Sequence, residues 1–372
     1  MKNDLEKILS LASENCEGAE LYEQSGETRK VAFENNKLKR ITSRQYRGVG
    51  LRVIVEGRLG FASTTDLRDP GRLVEMAQES AKYGEEARFE FQTTPAELPE
   101  VETRDEAVEK FRPEEMVEIG REGLEMSRES SDDYLFSTKI SARRGTSRVM
   151  NSAGTDLSYD STGMSASVEV QEVTDQGLLQ VYEYESWGRP LDSIRDLTSE
   201  TLVKMAKGRE IAPAGAEVMP MIFTPKAVDN LLNPIMVAVN GKQVQKGSSV
   251  LAGRIGEQIF DERISIIDDA TVSFAPGSGP FDDEGTPARR LPLVEGGVLK
   301  SYILDLQTAG LLEMDPTGHG YRSYSSRPSP SSSNTIVEAG TTPYQEMVAG
   351  LERGVIVDQV LSALMESGVH RL

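Results

Sequence analysis

The hydrophobic period changes once near the N-terminus, and that change limits the folds open to this chain. Residues 3–14 put Leu5, Ile8, Leu9 and Ala12 on one helical face, with Asn3 in capping position and Glu6 three residues on. From residue 19 the period is two. Segments 19–25, 28–34 and 37–45 read as strands, with Ser25-Gly26 and Asn35-Asn36 as turn signals. Residues 48–64 read as a hairpin: Leu51, Val53 and Val55 alternate with Arg52, Ile54 and Glu56, and Glu56-Gly57 makes the turn. A helix is expected at 70–83. Residues 90–112, rich in Pro, Glu and Thr, read as an exposed crossing segment. Pro113 then opens a helix at its first turn. Strands are expected at 134–143, 146–151, 155–171 and 177–187, with turns at Arg144-Gly145, Ala153-Gly154 and Asp175-Gln176-Gly177, before a helix at 191–207. Helices and strands kept apart in this way argue an α+β fold rather than a doubly wound parallel sheet.

Residues 209–219, with small residues around Pro213, read as a domain boundary. The expectation is an N-terminal helix and antiparallel-sheet domain at 1–212 and a strand-rich C-terminal domain at 213–372. In the second domain Thr224-Pro225 caps a helix at 225–239. Its Val228, Leu231, Leu232, Ile235, Met236 and Val239 read as a buried apolar set, and Pro234 should kink it. A Gly-rich, strand-rich stretch fills 240–340.

Composition then narrows the chemistry. Against 41 Lys and Arg stand 60 Asp and Glu, a formal charge of −19, which repels phosphate backbones and argues against direct nucleic-acid binding. One Cys cannot form an internal disulfide, and one Cys with two His cannot make a structural zinc site of four Cys and His ligands. No run of about 18 apolar residues occurs, so no membrane helix is expected. The charged start Met-Lys-Asn-Asp-Leu-Glu-Lys lacks an apolar signal core, which points to the cytoplasm.

Several groups are candidates for chemistry. In Phe281-Asp282-Asp283-Glu284-Gly285-Thr286-Pro287 three adjacent carboxylates can bind a cation or orient a peptide; the plainer reading is a polar turn with solvated acids. The spacing does not supply the alternating oxygen ligands of a calcium loop. Asp268-Asp269 has the look of a strand end. Thr317-Gly318-His319-Gly320 places His319 in a turn, where a catalytic base would need an orienting partner. Cys16 follows an amphipathic helix and reads as a small buried or half-buried residue, and His370 carries little weight. Arg322 and Arg327 form no basic cluster. The Ser- and Pro-rich stretch 323–333 reads as a flexible loop, either a cover for a groove or plain surface.

Three blocks together resemble the TldD/PmbA family, often labelled modulators of DNA gyrase. They are GVGLRVIVEGRLGFASTTD from Gly48 to Asp66, GSSVLAGRIGE from Gly247 to Glu257, and FDDEGTPARRLPLVEGGVLKSYILDLQTAG followed by PTGHGYR. They come in family order, and the PmbA-like (TldE) branch is the nearer. The resemblance implies a two-domain family fold. In the family's catalytic subunit a helix bearing His-Glu-x-x-x-His holds zinc, with a Cys ligand near the C-terminus. Counted back from Gly247, those positions here are Leu232, Asn233 and Val237. Leu and Val cannot ligate zinc and Asn is no general base. The resemblance therefore implies a non-catalytic subunit, without metal or catalytic residues of its own, beside a zinc-bearing TldD-like partner. Such a pair would take unfolded or extended peptides as an added strand. Asp282, Asp283, Glu284, Gly285, Thr286, Thr317, Gly318 and His319 are the candidate substrate or interface residues. The family also continues past residue 360, so this C-terminal domain reads as shortened, with sheet edges left open. The alternative is a homodimeric peptide-binding or scaffold protein. Direct regulation of gyrase finds no support, because no carboxylate spacing imitates phosphates.

Overall fold

The computed structural model describes residues 2–174, 177–212 and 217–360. The Asn3 side chain, the Asp175-Gln176 part of the expected turn, His370 and the rest of the segment 361–372 lie outside the described residues.

The chain starts with α1 (Lys2–Ser13), then runs up and down through β1 (Gly18–Glu34), β2 (Lys37–Val55) and β3 (Arg58–Thr64) before α2 (Pro70–Ala81). The two hairpin turns that join these strands are expected ones. Asn35 and Asn36 have φ of 49° and 66°, and Glu56 and Gly57 have 50° and 71°. This left-handed pair is what lets a two-residue turn follow the twist of its strands. The Asp69 carboxylate caps α2 by accepting from Arg72 N at 3.0 Å, and Pro70 starts it.

After the crossing segment, which contains α3 (Glu106–Lys110), the pattern returns. Helix α4 (Pro113–Ser130) leads into β4 (Leu135–Asn151), β5 (Asp156–Thr174), β6 (Gly177–Trp187) and α5 (Arg195–Gly208). The strands join in one antiparallel sheet of order β3-β2-β1-β4-β5-β6.

Two expected turns are absent. Ser25-Gly26 and Arg144-Gly145 lie in the middle of β1 and β4, where Gly26 pairs with Gly145. A side chain on Gly26 would meet Arg144 O at 2.4 Å, so these glycines serve close approach across the ladder rather than chain reversal. At about 3.3 Å per residue the 17 residues of β1 reach roughly 56 Å.

A strand this long buries two separate cores. At one end α1 and α2 cover Leu21, Val49, Leu51 and Val53; at the other α4 and α5 cover Val31, Phe33, Phe136, Ile140 and Val168. Cys16 is half-buried at the edge of the first core, as its sequence context suggested. Side chains alternate across β1, so Glu20 and Tyr22 point away from Leu21 and meet the C-terminal part.

That part is built from short pieces. It contains β7 (Met221–Phe223), α6 (Pro225–Ala238), α7 (Gly241–Gln245), β8 (Ile266–Asp269), β9 (Arg290–Glu295) and β10 (Val298–Leu299). There follow α8 (Leu306–Leu312), β11 (Gly320–Tyr321), β12 (Ser329–Pro330), β13 (Thr335–Val337), α9 (Tyr344–Ala349) and β14 (Val355–Val357). A four-stranded sheet of order β10-β9-β8-β13 carries its core, and β14 pairs in parallel with β7. Between these elements loops dominate. Gly247, Gly253, Gly256 and Gly285 of this stretch stand at positive φ and make turns rather than strands.

Thr224 and Pro225 cap α6 as expected. Its apolar residues are not all buried, however. Leu232, Ile235 and Met236 pack on the core, while Leu231 and Val237 remain 48% and 40% exposed. Apolar spacing shows that a helix has such residues, not that the domain covers them.

Candidate functional site

The seam between the sheet and the C-terminal part buries a cluster of charges. Glu20 on β1 and Arg52 on β2 are direct cross-strand neighbours. Arg52 Nη2 lies 2.9 Å from Glu20 Oε1, and Arg52 Nη1 donates to Glu284 Oε1 at 2.6 Å. The other side of Glu20 is met by Arg322, whose Nη2 is 2.7 Å from the same Oε1. Both contacts to Glu20 are charge contacts, off the line of an aligned hydrogen bond. Arg52 also lies over the Phe89 ring, 4.6 Å from its centroid, and Arg322 over Tyr22 at 4.7 Å.

The acidic run 281–287 supplies the C-terminal half of this cluster. It is a tight reversal, closed by Asp282 N donating to Thr286 O at 2.9 Å with Gly285 at φ 85°. Asp282 Oδ1 accepts from the backbone of Glu284 and Thr286, and its Oδ2 from Gly320 N at 2.8 Å. Asp283 Oδ2 accepts from Arg322 N at 2.8 Å. Glu284 Oε2 accepts from Leu306 N at the first turn of α8, where Asp305 is the cap.

The expectation of solvated acids is therefore wrong. Asp282, Asp283 and Glu284 are 1%, 7% and 0% exposed. Two guanidiniums face five carboxyl groups, so not all five can ionise without an uncompensated buried charge. Burial pushes Asp282 well above the usual carboxylate range, and Glu284 beside it adds to the rise. Burial also pushes Asp283 up to about 6, against the opposing pull of the Arg322 hydrogen bond. Asp305 rises to about 6 for the same first reason, with Glu284 adding to it. For Arg52, burial alone would lower the guanidinium, but Glu20 and Glu284 more than offset this and raise it.

The segment 317–320 lies against this run. Asp283 N donates to Gly320 O at 3.1 Å, and Gly318, at φ 78°, rests on Pro287. His319 is no surface turn residue; it is 2% exposed. Its Nδ1 is 2.9 Å from Thr317 O and its Nε2 is 3.1 Å from Asp268 Oδ1, so both ring nitrogens face oxygen acceptors. Burial would raise Asp268, but hydrogen bonds from His319 and Ser333 outweigh it and hold the carboxyl below its ordinary value. Thr335 Oγ1 also donates to Asp268, at 3.1 Å, and sits 3.8 Å from Met236 Sδ on α6.

The stretch 323–333 is anchored to the sheet as well. Tyr324 rests on β2 at Gly48, where a Cβ would come within 2.2 Å of its ring. Its neighbour Gly50 meets the Tyr324 backbone oxygen.

The candidate residues 282–286 and 317–319 are thus brought together, while Leu232, Asn233 and Val237 stand apart on α6. Leu232 packs on the C-terminal core, and Asn233 and Val237 are exposed. None of the three offers an imidazole, thiolate or carboxylate, so they do not fit a zinc ion. Among the described residues no group of three or more His, Cys, Asp or Glu side chains is placed to hold a metal.

Sequence reading missed Glu20, Arg52, Arg322 and Asp305. The one available signal was Arg52, a charge inside an otherwise apolar strand run. Among the described residues no helix is long and apolar enough to cross a membrane.

Comparison with known proteins agrees with the fold. Residues 19–82 match the PmbA/TldA metallopeptidase domain 1, and residues 216–369 match the PmbA/TldA metallopeptidase C-terminal domain. The chain is 30% identical over 343 residues to an uncharacterized protein of Methanocaldococcus jannaschii, covering 90% of this chain and 78% of that one. It is 25% identical over 364 residues to a metalloprotease of Methanothermobacter thermautotrophicus, covering 94% and 78%. Its fold superposes on the crystal structure of TldE from Thermococcus kodakarensis with a TM-score of 0.89, at 21% identity, over 97% of this chain and 83% of that one. This is a metallopeptidase-like α+β protein, with an antiparallel sheet clamped through buried charges to a loop-rich C-terminal part. The chain belongs to the PmbA/TldD family.

Proposed function

We propose that this chain is a non-catalytic, TldE-like subunit of a TldD/TldE-type metallopeptidase working in the cytoplasm. It shapes the substrate chamber and leaves zinc and the activating base to a His-Glu-x-x-x-His partner. The observation that carries this reading is the occupancy of the motif helix α6 by Leu232, Asn233 and Val237. The fold likeness to a protein named TldE supports it.

The roles left to this chain follow from its own residues. The sheet is a long rigid wall, held to the C-terminal part by Glu20, Arg52, Glu284 and Arg322. Its outer strands β3 and β6 end the ladder, and an extended peptide pairs with such an edge through main-chain hydrogen bonds. The half-exposed apolar residues of α6 suit a contact with the partner subunit.

The test is a peptidase assay on the purified chain alone and after mixing with a homologue that contains His-Glu-x-x-x-His. No hydrolysis alone, a stable complex and hydrolysis by the mixture are expected. Peptidase activity of the chain alone would overturn the reading. A clean homodimer that ignores the homologue would replace it with the scaffold alternative.

A further inference from the structure

Strand β2 is 19 residues long, but β3 covers only part of it. The β2–β3 pairs run from Val49 with Thr64 to Val55 with Arg58. On its other side β2 pairs with β1 along nearly its whole length, down to Lys37 opposite Glu34. Residues 37–48 therefore have an outer edge that meets no strand among the described residues. At about 3.3 Å per residue this free edge reaches roughly 40 Å. Residues 37–45 are also exposed on both faces of the strand. Such an edge offers main-chain N–H and C=O groups to another extended chain.

Its side chains are one-sided in charge. From Lys37 to Arg47 five residues are basic and none is acidic, in a chain whose formal charge is −19. Arg47 is held by Glu23 at 2.7 Å, whereas Lys37, Lys39, Arg40 and Arg44 make no ion pair among the described residues. Directly opposed residues share a face. Arg40 and Arg44, opposite Ala32 and Thr28, thus lie with Lys30 on the face turned away from α4, because Val31 between them is buried under that helix. The α4 side of the edge is apolar. Lys39 is the extra residue at a register shift, which sets Leu38 against Phe33 and Ile41 against Val31. Phe33 and Val31 belong to the core under α4, but Leu38 and Ile41 stay 42% and 51% exposed.

We propose that the free edge of β2 binds an acidic polypeptide in extended form, as an added strand whose acids face Arg40 and Arg44 and whose apolar residues cover Leu38 and Ile41. Side chains of an added strand alternate between the two faces, so the fitting sequence alternates acidic and apolar residues. A second copy of this chain does not fit: β2 against β2 would set five cations against five, and like charges across a ladder are unfavourable. A nucleic acid carries the charge but has no peptide groups to pair with the edge. The chain's overall negative charge does not cancel the attraction, because at physiological salt a charge acts over about 8 Å. This edge needs neither zinc nor a second subunit, so the proposal stands apart from the subunit reading.

Fluorescence anisotropy of the full chain with labelled peptides as long as the edge tests it. An alternating Glu/Val peptide should bind, and rising salt should weaken it several-fold. An alternating Lys/Val peptide, and a peptide with the Glu and Val residues in separate blocks, should bind about tenfold more weakly or worse. Arg40→Glu with Arg44→Glu should cost about tenfold or more in affinity, with a thermal midpoint close to the parent because both side chains are exposed. N-methylation of all Val or of all Glu residues separates a ladder from simple charge attraction. Only one of these sets turns its N–H groups toward β2, so one methylated peptide should lose binding and the other keep it. The proposal is overturned if no acidic peptide binds, or if the Lys/Val peptide, the block peptide or a single-stranded DNA binds as well as the Glu/Val one. It is equally overturned if the two methylated peptides bind alike, or if the folded charge-reversed chain binds as the parent does.

Discussion

Arg52→Met is the sharpest perturbation of the seam. It keeps most of the aliphatic stem beside Phe89 and Phe91 but removes the guanidinium that joins Glu20 to Glu284. Glu20 still has Arg322, while Glu284 keeps only the Leu306 amide. Removing one partner of a buried pair strands the other charge, at a cost of about 3–5 kcal/mol. Glu284→Gln alone retains the Leu306 contact and leaves Arg52 on Glu20, so about 1–3 kcal/mol is expected. In the double variant no charge is stranded at residue 284. Its cost should fall below the sum of the single costs by on the order of 1–3 kcal/mol. Urea unfolding, followed by the fluorescence of Trp187 on β6 and by far-UV dichroism, measures the cycle. Costs that add to within about 0.5 kcal/mol would refute the claim that these residues act as one buried cluster.

The remaining predictions concern other parts of the same structure. Asp305→Asn keeps the α8 cap, since Asn caps as well as Asp. In the folded chain Asp305 titrates near 6, above the roughly 3.9 of an unfolded aspartate, so its contribution to stability is full below pH 4 and lost as pH rises through 6. The variant should therefore gain on the parent by up to about 3 kcal/mol between pH 4 and pH 8, and a difference in urea midpoints that ignores pH would contradict this. Gly26→Ala should cost about 1–3 kcal/mol in thermal unfolding, because its methyl meets the Arg144 carbonyl; a neutral result would restore the turn. Asn36→Gly keeps the φ of 66° but loses the bonds to Tyr134 O and Phe136 N, both 2.8 Å; Asn36→Ala loses both and should be the less stable of the two in the same assay.

Local signals in the sequence located the turns Asn35-Asn36 and Glu56-Gly57 and the cap at Thr224, because each depends on residues within a few positions of one another. The same local reading failed at Gly26 and Gly145. A glycine needed for close approach across a ladder looks, along the chain, like one needed for a turn. The acids 282–284 looked solvated because their cations are far off in sequence. Arg52 lies 232 positions before Glu284, and Arg322 lies 39 after Asp283. His319 has its carboxylate 51 positions away at Asp268. No periodicity reports pairings of that range.

The central claim is that the chemistry of this family is absent from this chain and present in its partner. Metal analysis of the purified chain after refolding with excess zinc and gel filtration tests that claim most directly. The account predicts zinc far below one ion per chain, and stoichiometric zinc only in a complex with the His-Glu-x-x-x-His homologue. One tightly held zinc per chain in the absence of that homologue would contradict it.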